Sequence, residues 1–197
     1  DAGADNIYDL TVQVADGNGG TATQAIAITV TNVNEAPLVT SGAAVSAAEN
    51  QTGVTTVTSS DVDGGAPSYS IVGGADAALF TIDAATGVLA FNAAPDFESP
   101  SDAGADNVYD VTVQVADGNG GTATQAIAVT VTNVNEAPLI TSAAAVWVAE
   151  NQTGITTVTS SDVDGGIAVY SIVGGADAAR FTIDAATGVL SFNAAPD

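Results

Sequence analysis

The chain contains no cysteine, no methionine and no histidine, and its single basic side chain is Arg180. Without cysteine no disulfide can brace it, so outside a cell something else must, and metal ions are the obvious candidate. Without His, Cys or Lys most acid–base and nucleophilic chemistry has no group to run on, and an enzyme is not expected. One positive charge against 23 Asp and Glu gives a formal net charge of −22 over 197 residues. A field of that sign repels nucleic acid and acidic membrane surfaces and attracts cations. Aromatic residues make up 5 % of the chain, so any core is thin and built from Val, Ile, Leu and a few Phe and Tyr. No apolar run approaches a membrane span and no signal peptide is visible, so no membrane insertion is expected in this segment.

What the chain does have is a repeat. Residues 1–96 align without a gap onto 102–197, and about 83 of the 96 positions are identical. A period of 101 residues matches a whole small domain rather than a solenoid unit. The stretch "TNVNEAPL" stands at 31–38 and again at 132–139. Pro37 and Pro138 interrupt strand pairing after the longest alternating runs, so each marks an end and a new beginning. The expected division is therefore a complete domain at 37–136. Residues 1–36 would be the last two strands of a preceding domain, and 137–197 the first five strands of a following one. The chain is then expected to be a piece of a longer array.

Periodicity within the complete domain is two. "NVYDVTVQVAD" puts Tyr109, Val111, Val113 and Val115 on one face, and "TQAIAVTVTN" does the same for Ile127, Val129 and Val131. "SYSIVG", "ALFTID" and "GVLAFN" offer Tyr69 and Ile71, Phe80 and Ile82, and Leu89 and Phe91. Short strands separated by "DGNGG", "ATG" and "DGG" turns predict an all-β antiparallel sandwich of about seven strands, with no helix.

Five acidic constellations interrupt this pattern at predicted strand ends: "AEN" (Glu49, Glu150), "DVDGG" (Asp61, Asp63; Asp162, Asp164), "PDFE" (Asp96, Glu98), "VAD" (Asp16, Asp117) and "TNVNE" (Asn32, Asn34, Glu35; Asn133, Asn135, Glu136). Asp, Asn and Gly form turns, and for "DGNGG" alone that is the better reading. It fails for the set, because Glu49, Glu98 and Glu136 are poor turn formers. Asp61 and Asp63 also put two carboxylates on one side of an extended chain, which no turn requires. Strand ends gather at the poles of a sandwich, where such hard oxygen donors suit Ca²⁺ rather than a transition metal.

In this order the residues resemble the cadherin repeat: "AEN", "DVD", "YSIVGG", "FTIDAATGVL", "DFE", "VAD" and "NVNEAP". The resemblance covers the whole chain. It implies tandem seven-strand Greek-key sandwiches, one complete and two partial, with Ca²⁺ at the inter-domain linkers stiffening a rod. One linker would draw on Glu49, Asp96, Glu98, Asn133, Asn135, Glu136, Asp162 and Asp164, the other on Asn32, Asn34, Glu35, Asp61, Asp63 and Asp117. The chain departs from the family where Asn32 and Asn133 replace the leading Asp, Glu35 and Glu136 the second Asp, and Ala36 and Ala137 the final Asn. The "VAD" turn is also spaced differently. The style is similar to repeats of large bacterial surface or secreted adhesin-type proteins, which implies an extracellular or cell-surface place and partners among surface proteins or glycans.

Several weaker signals remain. A carbohydrate-binding accessory module of an extracellular enzyme is the alternative function, but it calls for a row of exposed aromatics. "NQT" at 50–52 and 151–153 matches a common glycosylation pattern whose Asn already belongs to "EN". Trp147, in place of Ser46, is expected to fill a core gap in preference to serving as an exposed contact. Arg180 is expected to pair with a local acid. The two partial domains are complementary, so the fragment is expected to associate head-to-tail.

Overall fold

A computed structural model describes residue 1 and residues 3–197. The alternating stretches of the middle copy become strands β3 (Leu38–Val39), β4 (Ala44–Ala48), β5 (Gly53–Thr56), β6 (Ser59–Ser60), β7 (Ser68–Gly73), β8 (Phe80–Ile82), β9 (Val88–Phe91), β10 (Val108–Ala116) and β11 (Thr122–Thr132). One sheet runs β4-β11-β10-β7, with β4 parallel to β11 and every other neighbour antiparallel. The facing layer is β5-β9-β8, with β3 paired to β6 beside it. The chain thus enters on one layer through β3 and crosses to the other through β4.

Tyr109, Val111, Val113 and Val115 of β10 and Ile127, Val129 and Val131 of β11 are all buried, as their period of two requires. They meet Val57, Tyr69, Phe80, Leu89 and Phe91 from the opposite layer and the β7 edge. Phe80 stacks on Phe91 with centroids 4.6 Å apart, and Tyr109 meets Phe91 edge-on at 5.1 Å. Each such side chain contributes about 1.5–3 kcal/mol on burial, which makes this thin aliphatic core sufficient.

The segment between β9 and β10 is tied down by two buried carboxylates. Asp76 accepts the N–H groups of Ala103 (2.7 Å) and Asp110 (2.8 Å). Asp102 accepts those of Asp106 and Asn107, both at 3.1 Å. Burial pushes the Asp102 carboxyl up, but these N–H donors outweigh it and hold it below the ordinary value.

The flanking copies are less complete. The first contributes a hairpin of β1 (Ile7–Ala15) and β2 (Thr21–Thr29) in the register of β10 on β11. Its apolar face is open: Tyr8 is 48 % exposed, whereas its counterpart Tyr109 is 1 % exposed. The third copy contributes β12 (Leu139–Ile140), β13 (Gly154–Thr157), β14 (Ser160–Ser161), β15 (Phe181–Ile183) and β16 (Val189–Phe192). Their pairings, β12-β14 and β13-β16-β15, repeat those of β3-β6 and β5-β9-β8.

In keeping with an all-β fold, the helical segments among the described residues are two single 3₁₀ turns, Ala77–Leu79 and Ala178–Arg180. One expectation needs correction. Trp147 does not fill a core gap but is 89 % exposed, on a segment that pairs with no strand among the described residues. Arg180 does lie 3.8 Å from Asp177, an exposed pair worth little.

Candidate metal centre

The acidic side chains collect at two junctions, the first where the chain leaves β2 for β3 and the second where it leaves β11 for β12. At the second, Glu49 follows β4 and is buried. Its Oε1 accepts the Val134 N–H and its Oε2 the Phe97 N–H, both at 2.8 Å, so one carboxylate fastens three segments together. Asp96 accepts the Ser99 N–H at 3.0 Å, which turns the chain and leaves the adjacent Glu98 exposed. From the third copy, Asp162 accepts the Asp164 N–H at 3.1 Å. Asp164 in turn accepts the Glu136 N–H at 2.6 Å and the Asn133 amide at 2.7 Å. The same Asn133 amide nitrogen donates to Glu98 at 2.6 Å. Asn135 donates to the backbone oxygen of Glu136 at 2.7 Å, shaping the linker itself.

Two carboxylate triads result, Glu49–Asp96–Glu98 and Glu98–Glu136–Asp164, each with its oxygens within 4.8 Å of one another. Glu98 belongs to both. Desolvation, followed by repulsion from Glu49, pushes the Glu136 carboxyl above the ordinary Glu value; Asn50 opposes this. Glu98 is raised for the same reason, with Asp164 and Asp96 adding to it. Asp164 is held down by the Glu136 N–H and the Asn133 amide. The junction therefore carries more negative charge than its own donors neutralise.

The β2–β3 junction repeats part of this. Asn32 donates to Asp63 and the Glu35 N–H donates to the other oxygen of Asp63, both at 2.7 Å. The Asp63 N–H returns to Asp61 at 2.8 Å. The nearby Asp63 carboxylate raises Glu35, while the Glu35 N–H and Asn32 lower Asp63. Asp117 arrives from the β10–β11 turn, buried, and accepts the Asn34 amide at 2.7 Å. Gly121 permits this approach, since a Cβ there would collide with the Asp117 carboxylate and lie 2.9 Å from the Glu35 oxygen. The counterpart Asp16 closes the same turn through Asn18 and Gly20 and, among the described residues, bonds to no linker.

All fourteen residues singled out in the sequence thus lie at one junction or the other, but the triads form only at the second. Glu150, the third copy's counterpart of Glu49, is exposed and joins neither. Sequence reasoning missed the amide of Asn50, which donates to Glu136 Oε1. Its signal was the "EN" pair: Asn50 sits at φ 62°, a left-handed conformation that Asn tolerates and that aims its side chain at the linker.

Whether a hard cation suits these residues can be judged from oxygens left over. Glu136 Oε2 and Asp61 Oδ2 are buried and have no hydrogen-bond partner. A buried carboxylate oxygen without a donor is costly, and one such oxygen stands at each junction among other carboxylates. The donor set is all oxygen, from carboxylates, amides and backbone. It fits a Ca²⁺-type ion and offers nothing to a thiophilic metal.

Residues 43–134 match the family model of the cadherin domain. No curated protein sequence matches the chain. Among solved structures, the protocadherin gammaB7 EC3-6 cis-dimer is similar at TM-score 0.60 and 23 % identity, over 100 % of this chain and 54 % of that one. Human CDH23 EC21-23 is similar at TM-score 0.61 and 20 % identity, over 98 % of this chain and 65 % of that one. Human protocadherin-24 EC1-2 is similar at TM-score 0.57 and 22 % identity, over 83 % and 80 %. The chain thus spans about half the length of the protocadherin gammaB7 structure. At such identities the likeness is one of fold: the central copy is a cadherin-like sandwich.

Proposed function

We propose that the chain is a calcium-binding structural and adhesion repeat, part of a rigid stalk on a surface or secreted protein, with Ca²⁺ held at the junctions between sandwiches. The observation that carries this reading is the pair of orphaned buried oxygens, Glu136 Oε2 within a carboxylate triad and Asp61 Oδ2 beside Asp63 and Glu35. Glu49, Asp96, Glu98, Asn133, Asn135, Glu136, Asp162 and Asp164 would hold ions at the second junction, and Asn32, Asn34, Glu35, Asp61, Asp63 and Asp117 at the first. Bound cations would turn mutual repulsion into ligation and stiffen the linkers.

The domain division at 37 and 137 belongs to the same reading, as do an extracellular location and a bacterial adhesin-type parent. So does head-to-tail contact between copies of this polypeptide, with surface proteins or glycans as the ultimate partners. We assign no catalytic activity. The carbohydrate-binding alternative gains no support, because among the aromatic side chains of the described residues only Tyr8 and Trp147 are largely exposed, and they stand in different copies.

Calorimetry with Ca²⁺ and with chelator tests the proposal. The expected result is a melting temperature that rises with Ca²⁺ concentration, as linkage requires for an ion that binds only the folded state. Coincident curves would remove the metal from the account.

A further inference from the structure

The junctions are crowded with carboxylates, yet no basic side chain reaches them; Arg180 lies on an exposed surface beside Asp177. The side-chain donors that do reach them are asparagine amides. Asn133 bridges Glu98 and Asp164, Asn50 meets Glu136, Asn32 meets Asp63, and Asn34 meets Asp117. The Asn133 bonds join residues 35 and 31 positions away, so they are tertiary contacts and not the local Asx turns that Asn usually makes. Asn32 repeats one half of this at the first junction, where it donates to Asp63, the counterpart of Asp164; the bridge between two carboxylates belongs to Asn133.

We propose that these amides, Asn133 foremost, act as built-in substitutes for a cation. An amide NH₂ offers two donors and no charge, so it ties two carboxylates together while adding nothing to the negative field. Asn133 joins Glu98 of the central sandwich to Asp164 of the next copy, so the joint keeps its shape when no ion is bound. An Asp in this place would add a charge and remove both donors. The amide therefore exchanges ion affinity for independence from the ion. This inference rests on reading the junctions as cation sites, and it concerns what holds them between binding events.

The test uses the full 197-residue chain as wild type, Asn133→Asp, Asn133→Ala and a charge-matched control remote from both junctions, Gln24→Glu on β2. Melting is followed in EDTA, and Ca²⁺ uptake by isothermal titration with calcium chloride. In EDTA both Asn133 variants should melt several degrees below wild type, with Asn133→Asp the lowest, while Gln24→Glu is unchanged. In the titration Asn133→Asp should bind Ca²⁺ about tenfold more tightly, the order expected for one charge added within a Debye length of the ion. Asn133→Ala should show no such gain. Wild type that takes up Ca²⁺ while both Asn133 variants melt with it in EDTA overturns the role of the amide alone. Wild type that takes up no Ca²⁺ overturns the cation reading itself.

Discussion

The letters "YSIVGG" occur at 69–74 and again at 170–175. In the middle copy all but Gly74 lie in β7, an edge strand paired with β10, and Tyr69 is buried. In the third copy they form no strand, and Ile172 and Val173 are exposed. The segment 145–149, counterpart of β4, is likewise unpaired, whereas β4 lies parallel to β11. By contrast, the β1–β2 hairpin keeps the full register of β10–β11 with no sheet beside it, and β13-β16-β15 repeats β5-β9-β8. The difference separates two kinds of strand. The pairs that persist have both partners within the same copy, whether a short-turn hairpin such as β1–β2 or a longer closure such as β13–β16, while β4 and β7 exist only where a β10–β11 pair receives them.

The largest expected effect comes from supplying the third copy with that pair. The β1–β2 hairpin of a second polypeptide is the matching part. Its apolar face is open, and the third copy presents a cavity of about 480 Å³ lined by Ile140, Val158, Tyr170, Ile172, Ile183 and Leu190. Association should grow with concentration in light scattering, and Val12→Asp on the open face should abolish it without lowering the melting of the central domain. A monomer at high concentration would break the complementarity.

The next effect sharpens the contrast between cores. Leu89 is fully buried between both layers, while its counterpart Leu190 faces the open cavity. Urea unfolding should show a loss of about 2–5 kcal/mol for Leu89→Ala and clearly less for Leu190→Ala. Equal losses would mean that the third copy has a closed core.

A smaller effect separates the junctions. Glu136 belongs to a carboxylate triad and Glu35 does not. Glu136→Ala should therefore cost more Ca²⁺ affinity than Glu35→Ala in titration, and equal costs would argue against the domain boundaries at 37 and 137.

The smallest effect should be no difference at all. Asp83 and Asp184 close identical turns, each accepting the Thr hydroxyl and N–H three residues on (Thr86 or Thr187) at 2.8 Å. The threonine bonds, hydroxyl first, hold both carboxyls below the ordinary Asp value. A depressed folded-state value means that the stabilisation is present above the unfolded Asp value, about 3.9, and is lost as pH falls through the folded one. The melting difference between wild type and Asp83→Asn should vanish on acidification, and Asp184→Asn should follow the same profile. Divergent profiles would show that these turns are not local.

Much of the site could be read from residue types. Acidic groups at strand ends, "DVD" and "NVNE" chief among them, pointed to the junctions without coordinates. Asn50 was less legible, since nothing in the letters says that its amide crosses to a linker 86 residues on. Asp117 was placed at its linker by the resemblance alone; the fold supplies the contacts that bring the β10–β11 turn there, the Asn34 amide on its carboxylate and Gly121 against Glu35.

The sequence by itself determined everything that depends on neighbours along the chain: strand alternation, the hairpins, the Asp83 and Asp184 turns, the 101-residue period and the net negative charge. Only the tertiary structure decided which alternating segments become strands, why Trp147 stays outside, which junction gathers triads, and where carboxylate oxygens are left without donors. The reason is common to all four. A β-strand and a carboxylate cluster are each completed by groups far away in sequence, so identical letters at 69–74 and 170–175 end in different states.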